Sequence, residues 1–275
     1  GVAAGAAVGA LLASELASES LSGFSSAAWT VGAALIAIPA TRVMDRSGRR
    51  PGLLLAYAVG ICGACIVVTA AKIGSFPLAL GGLMMTGGGT TATLQSRYAA
   101  TDLAAPGRRG RSLSTVVWAT TLGSVLGPNL AGPMGSFANS INLPKLAGPY
   151  LLTIVAFTIA ALVITFALRP DPLLAAREIE NAKPDAGRVV QSKRSIKVAI
   201  GIIRGIPVAT AGLAAVVLGQ AVMTSVMSMT PVHLHDADAS LRMIGMVISL
   251  HIFGMYAASP LVGWAADHYG RRAVI

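Results

Sequence analysis

Apolar residues form long uncharged runs along almost the whole chain, and charged residues fall mainly in the short breaks between them. Runs such as 52–71 and 146–168 exceed the roughly 18 residues that mark a bilayer-spanning helix. Strands of an outer-membrane barrel would instead alternate in segments of about 10 residues. The pattern therefore predicts an all-α membrane protein with eight helical segments, at about 1–17, 22–40, 52–71, 77–96, 113–133, 148–168, 207–231 and 243–262.

Composition supports this class. Of 275 residues, 54% are hydrophobic and 12% charged, about half the charged share of an average soluble domain, which is about 25%. The formal net charge is +10. Because the basic residues lie in the breaks between apolar runs, we interpret them as signals that set membrane orientation. The expected partner is a lipid bilayer, and no nucleic-acid partner is expected.

The basic residues are divided unequally between the two sides of the predicted bundle. Eighteen of the 21 Lys and Arg residues lie on one side, and this side is predicted to be cytoplasmic. The uncharged stretch of segment 1 ends at Ser14 and is too short to span. We interpret it as a truncated first helix with a cytoplasmic N-terminus, in preference to a signal-peptide core. The predicted location is multi-pass in the plasma or inner membrane.

The longest break, 169–206, separates six segments from two. It predicts a cytoplasmic linker whose start either forms a surface helix, broken near Pro184, or stays a solvated connector. The resulting organisation is a first bundle at 1–168, the linker at 169–206, and the start of a second bundle at 207–275.

A ten-residue pattern occurs twice, at 41–50 after segment 2 and at 263–272 after segment 8. Corresponding residues are separated by a constant 222 positions, with six helices between the copies. Two such turns at matching positions indicate a duplicated six-helix unit, as in transporters built from parallel repeats. The pattern residues are Asp45, Arg46, Gly48, Arg49 and Arg50 in the first copy, and Gly263, Asp267, Gly270, Arg271 and Arg272 in the second.

Both copies resemble motif A of the major facilitator superfamily, GxxxDRxGRR. Thr41 replaces the first Gly and His268 replaces an Arg. That family has twelve helices, so the resemblance implies the N-terminal six-helix bundle plus helices 7 and 8, with helices 9–12 missing. It also implies a gate that latches the two halves in the outward-open state. Asp45 can accept N–H bonds from a helix N-terminus, and Asp102 is the expected latch partner of Arg46 or Arg49.

Segment 5 carries a second signature, formed by Gly123, Gly127, Pro128 and Gly132. It resembles motif C, GxxxGPxxGG, of drug:proton antiporters, although Gly/Pro-rich membrane helices are also common for other reasons. Segment 4 has Leu83 where export families carry the Arg of motif B. This departure leaves the usual proton-coupling arrangement without its arginine.

Polar residues inside the apolar segments are candidates for a proton or substrate site. They are Glu15, Gln95, Gln220 and His251. Solvation at the interface is the alternative for Glu15, hydrogen-bonded packing for His251, a bond within its own helix for Gln95, and a plain packing face for Gln220. Cys62 and Cys65 are expected to be buried small hydrophobic residues. No metal site and no cofactor are predicted.

Together these features predict secondary active transport by alternating access. The resemblance favours proton-coupled efflux of a small, partly apolar compound, and uptake symport of a polar metabolite is the alternative. An enzyme is not indicated, because the sequence lacks HExxH, GxSxG and paired intramembrane carboxylates. The complete protein is expected to be a monomer.

Overall fold

A computed structural model describes residues 2–182 and 196–269. Within these ranges the chain forms thirteen α-helices and no strand. They are α1 (Val2–Leu16), α2 (Gly23–Ser47), α3 (Arg49–Ile73), α4 (Phe76–Thr86), α5 (Gly88–Asp102), α6 (Arg109–Asn129), α7 (Ala131–Ser140), α8 (Gly148–Ala167), α9 (Pro172–Asn181), α10 (Ile196–Arg204), α11 (Pro207–Asp236), α12 (Leu241–Tyr256) and α13 (Ser259–Tyr269).

Local sequence explains several helix ends. Gly74 ends α3 in the left-handed conformation, with φ of 74°, and its N–H donates to the carbonyl of Ala70. Pro207 opens α11 at the first helical position, where its missing N–H costs nothing. Ser240 caps α12 by accepting the N–H of Met243 at 3.3 Å. These signals place the helix ends close to the predicted ones.

Five helical stretches in the described ranges are long and apolar enough to cross a membrane, at Gly23–Ser47, Arg49–Ile73, Lys145–Asn181, Pro207–Asp236 and Leu241–Tyr269. The all-α fold is confirmed. Segments 4, 5 and 8, however, are each two consecutive helices, α4–α5, α6–α7 and α12–α13. The helical hydrogen bonds continue through Gly87 and Leu130, whose N–H groups donate to the carbonyls of Leu83 and Leu126, so these helix pairs correspond to the predicted segments.

The junction between α4 and α5 is a site of close helix packing. The added Cβ of Gly87 would lie 2.5 Å from the carbonyl oxygen of Trp29 on α2, and the added Cβ of Gly88 would meet Ala56 on α3. The added Cβ of Gly89 would overlap the ring of Phe157 on α8. Three consecutive glycines thus let one helix junction touch three neighbouring helices. The close packing predicted for these glycines is confirmed.

The prediction that Cys62 and Cys65 are buried is wrong, because both thiols lie exposed on α3. The face of α3 that carries them is not covered by other described helices. In a bilayer, an uncovered apolar face contacts lipid and needs no protein partner. Hydrophobicity alone therefore does not distinguish the protein core from the lipid-facing surface.

The two halves of the chain contact each other through two sets of helices. In one, α6 packs against α12 and α13. In the other, α1 packs against α11, and Val8 and Leu12 share a buried apolar cluster with Val232 and Ile244. We call the end of the bundle where α2 ends and α3 begins the motif A end. The α6–α13 contact lies there, and the Val232 cluster lies at the opposite end.

Candidate gating site

The first motif A copy is more helical than the sequence suggests. Asp45 and Arg46 belong to the last turn of α2, and Arg49 and Arg50 open α3. Only Gly48 lies between the helices, with φ of 97°, a conformation that favours glycine. The predicted turn is thus reduced to one residue, because Gly48 alone reverses the chain. As a result, the charged side chains project from two rigid helix ends.

Arg49 forms the central ion pair of this end. Its Nε lies 2.7 Å from Asp102 Oδ2, and its Nη2 donates to Asp102 Oδ1 at 3.0 Å. The side chains are only 15% and 13% exposed, so this bidentate pair is partly desolvated. Asp102 is the last residue of α5 and does not lie in a loop as predicted. Of the two candidate arginines, Arg49 contacts Asp102, whereas Arg46 is exposed.

Two further residues contact the turn from the linker. Asp171 and Arg177 lie at the start and on the second turn of α9, which packs beside α3 and α5. The sequence left a surface helix and a solvated connector open here, with the connector preferred, and pointed to no role for either residue. The Asp171-Pro172 pair was the available signal, since Asp at the N-cap and Pro at the first helical position mark a helix start.

The second motif A copy joins the two halves. Asp267, on α13, accepts the backbone N–H of Gly110 at 3.0 Å and that of Arg111 at 2.8 Å. These groups lie in the first turn of α6, where the helix dipole favours an anion. The carboxylate is so close that an added Cβ at Gly110 would lie 2.5 Å from Asp267 Oδ1. An aspartate of one half thus caps a helix of the other.

Two further residues of the second motif A copy, Gly263 and His268, pack against neighbouring side chains. Gly263 packs directly against Ser114 on α6, so that an added Cβ would overlap the serine side chain. His268 stacks on Trp264, with ring centroids 5.4 Å apart. The predicted Gly270, Arg271 and Arg272 lie outside the described residues.

Motif C forms part of the same α6–α12 contact. Gly127 and Pro128 are buried, whereas Gly123 is exposed. An added Cβ at Gly245 on α12 would overlap the carbonyl group of Pro128. The added Cβ of Gly132 would lie 3.9 Å from the backbone nitrogen of Arg242, at the start of α12. Residues 128 and 132 therefore face the other half.

The four candidate proton or substrate residues are not brought together. Gln95 lies at the motif A end, where its Oε1 accepts from Arg49 Nη1 at 3.3 Å. Glu15 is exposed in the last turn of α1, and His251 is exposed on α12. Gln220 is exposed on α11 and lines a groove. Leu83, at the motif B position, is 1% exposed.

The groove beside Gln220 runs between α2 and α11 and has a volume of about 590 Å³. Hydroxyl and amide groups alternate with alanine and valine side chains along its walls, and its described lining carries no charge. Its polar residues are Ser26, Thr30, Gln220, Thr224, Ser225 and Ser228.

These features define a helical membrane protein whose two halves are joined by a carboxylate cap at one end. The chain belongs to the Major Facilitator Superfamily, whose sequence model matches residues 2–275. No solved structure is significantly similar to it.

Three relatives show how much of a complete family member is present. An uncharacterized MFS-type transporter of Bacillus subtilis strain 168, YddS, is 42% identical over 98% of this chain and 62% of its own length. A second from the same organism, YdeG, is 41% identical over 100% of this chain and 63% of its own length. The riboflavin transporter RfnT of Brucella anthropi is 26% identical over 90% of this chain and 58% of its own length. The chain thus spans less than two thirds of these relatives.

Proposed function

We propose that the full-length protein is a secondary active transporter that exports a small, partly apolar compound in exchange for protons. The observation that carries this proposal is the Asp267 cap on α6. It joins the two halves by two hydrogen bonds to backbone N–H groups. Water can replace both bonds when the halves separate, so the contact is suited to repeated opening and closing.

The motif A end faces the cytoplasm in this proposal, because 18 of the 21 basic residues lie on that side. Opening towards the cytoplasm then requires Asp267 to leave Gly110 and Arg111. Opening towards the outside requires the cluster around Val232 and Ile244 to separate from α1. Both contacts are present together in the described part of the chain.

The groove between α2 and α11 is assigned to a helix of the second half and not to the substrate. The 222-residue offset between the two motif A copies relates α13 to the end of α2. In the same chain order, α11, the first helix of the second half, corresponds to α1 in the first half. Since α6 lies between α1 and α12–α13, the repeat places its counterpart between α11 and α2. Asp45 then corresponds to Asp267 and caps the start of that helix.

The coupling site is proposed to use Glu15 or His251, the two candidates that can exchange a proton. Neither is paired with a buried arginine in segment 4, where Leu83 packs in the apolar core. Glu15→Gln and His251→Asn separate the two. The variant that abolishes proton movement but retains substrate exchange identifies the coupling residue.

The test is proton flux in liposomes containing the full-length protein and a trapped pH-sensitive dye. Ethidium and Hoechst 33342 serve as partly apolar probes. Addition of a transported probe is expected to release protons in exchange. Probe movement that ignores an imposed proton gradient would contradict antiport.

Uptake is the second candidate, and the relative RfnT favours testing it with riboflavin. Riboflavin fluorescence inside the liposomes reports accumulation directly. Accumulation driven by protons moving in the same direction would establish symport in place of efflux.

A further inference from the structure

The Asp171 carboxylate lies between the N-termini of two helices. Its Oδ1 accepts the N–H of Arg49 at 3.0 Å, and its Oδ2 accepts the N–H of Arg50 at 2.8 Å. Its Oδ1 also accepts the N–H of Leu173 at 3.0 Å and of Leu174 at 3.3 Å. One carboxylate therefore satisfies donors of α3 and α9 at once, where the dipoles of both helices favour a negative charge.

This carboxylate also explains Gly48. An added Cβ at residue 48 would lie 2.5 Å from Asp171 Oδ2. The glycine is therefore required twice, once by its φ of 97° and once by the approach of Asp171. The turn of the first motif A copy is shaped around a residue of the linker.

Arg177 contacts the other side of the same turn. Its Nη1 donates to the carbonyl oxygen of Asp45 at 2.8 Å, and its Nη2 lies 3.8 Å from Asp45 Oδ1. The guanidinium thus pairs with a carbonyl near the C-terminus of α2, where a positive charge is favourable. Through Asp171 and Arg177, α9 holds the helices on both sides of Gly48.

We propose that the linker helix α9 is a component of the gate, and that Asp171 and Arg177 are its positioning residues. This inference rests on the proposed transport function. Asp171 fixes the backbone from which Arg49 reaches Asp102, and Arg177 fixes the backbone from which Asp45 projects. Loss of either contact loosens the turn and weakens the Arg49–Asp102 pair, which lies within the first half. This pair holds α5, which packs against α6, the helix that Asp267 caps from the second half.

A simple N-cap is the alternative role of Asp171, and the structure shows how to separate the two. Capping α9 needs only the bonds to Leu173 and Leu174, which asparagine supports about as well as aspartate. The bonds to Arg49 and Arg50 use both oxygens. In Asp171→Asn an amide nitrogen replaces one oxygen, so one of the two backbone N–H groups loses its acceptor. The negative charge facing α3 is lost as well. This variant therefore preserves the cap and disrupts the contact with α3.

The experiment measures maleimide labelling of the full-length protein in nanodiscs, after native cysteines, including the exposed Cys62 and Cys65, are replaced by serine. Ser114→Cys reports the motif A end and Val232→Cys the opposite end, since these positions are 6% and 4% exposed. We expect Asp171→Asn and Arg177→Gln each to raise the labelling rate at position 114 at least about fivefold, the lower end of typical allosteric coupling. Labelling at position 232 should fall.

Glu180→Gln is the matched control. It removes a charge from the same helix, and Glu180 is exposed, with no side-chain hydrogen bond or ion pair in the part of the chain that the structure describes. Arg177→Lys should restore part of the parental ratio of labelling rates at positions 114 and 232, because lysine keeps the positive charge at the end of α2. If Asp171→Asn fails to fold, the Arg177 pair of variants decides the question.

Unchanged labelling ratios in Asp171→Asn and Arg177→Gln would overturn the proposal, even if thermal stability falls, because α9 would then be a surface helix only. The readout needs no substrate. A shifted ratio in a protein that moves no probe would support the role of α9 and contradict the proposed transport instead.

Discussion

Asn129 and Ser249 join the two halves of the chain by a short chain of hydrogen bonds. The Nδ2 of Asn129, on α6, donates to the Oγ of Ser249, on α12, at 2.7 Å. The Oγ of Ser249 in turn donates to the carbonyl oxygen of Val125 at 2.7 Å. Because Ser249 is 4% exposed, this polar contact is shielded within the α6–α12 interface, one turn beyond the Gly245–Pro128 contact.

Removing the Ser249 hydroxyl should therefore destabilise the contact between the halves. Ser249→Ala removes two hydrogen bonds, each contributing about 0.5–1.5 kcal/mol, and is expected to cost about 1–3 kcal/mol, seen as a lower melting temperature in detergent. Ser140→Ala is the control, since Ser140 is exposed and its hydroxyl bonds only to the carbonyl oxygen of Phe137 within α7. Equal melting temperatures for the two variants would show that the inter-half bond contributes nothing.

Close packing at motif C can be tested with two glycines of one helix. Gly245→Ala forces a methyl group onto the Pro128 carbonyl, whereas an added Cβ at Gly254 meets nothing within 4 Å. Overpacking costs roughly 1–3 kcal/mol, and we expect this loss at position 245 only. Gly254→Ala should leave stability unchanged or raise it slightly, because alanine is the better helix former. The reverse order, measured by thermal unfolding, would contradict the α6–α12 packing.

The two glycines with positive φ allow the Asp171 contact to be isolated. Gly48 and Gly74 have φ of 97° and 74°, so alanine is strained at both, by about 1–3 kcal/mol. Only at Gly48 would the added Cβ also meet a carboxylate. Gly48→Ala should therefore lower the melting temperature more than Gly74→Ala.

In an Asp171→Ala background this additional loss should disappear. The difference between the two glycine variants is then the cost of the contact with the carboxylate. If the difference persisted without Asp171, it would have to arise from the backbone alone.

Arg49 and Asp102 are expected to be energetically coupled. Arg49→Gln and Asp102→Asn should each destabilise the protein by about 1–3 kcal/mol, because each leaves a partly buried charge without its partner. The double variant should lose less than the sum, which a double-mutant cycle measures directly. Arg46→Gln, on the exposed side of the same turn, is the control. Additive losses would show that the ion pair contributes no coupling.

Sequence reasoning identified the motif residues but not the contacts that make them work. The repeat predicted Asp45 and Asp267 because their spacing is fixed along the chain. Asp171 escaped notice because its main partners, the amides of Arg49 and Arg50, are more than 100 residues away. Backbone donors carry no sequence signal, so a carboxylate that binds them is visible only in the fold.

Hydropathy likewise predicted where the helical segments lie, but not which of their faces touch other helices. At Gly87 an added Cβ would lie 2.5 Å from the carbonyl oxygen of Trp29, a contact that average hydrophobicity does not indicate. The same limit explains the exposed Cys62 and Cys65, since a membrane protein is apolar both inside and on its lipid-facing surface.

The cap between the halves gives the last prediction. Asp267→Asn in the full-length protein keeps the shape of the side chain but removes the charge that faces the α6 N-terminus. Its amide nitrogen replaces one oxygen, so the N–H of either Gly110 or Arg111 loses its acceptor. A loss of about 1–3 kcal/mol would shift a two-state equilibrium by roughly 5–150-fold. We therefore expect faster maleimide labelling of Ser114→Cys, which the cap shields at the motif A end. Asp236→Asn is the matched control, because Asp236 is exposed at the last position of α11, at the end of the bundle opposite the motif A end. Parental labelling and normal probe transport in Asp267→Asn would show that this aspartate does not hold the gate closed.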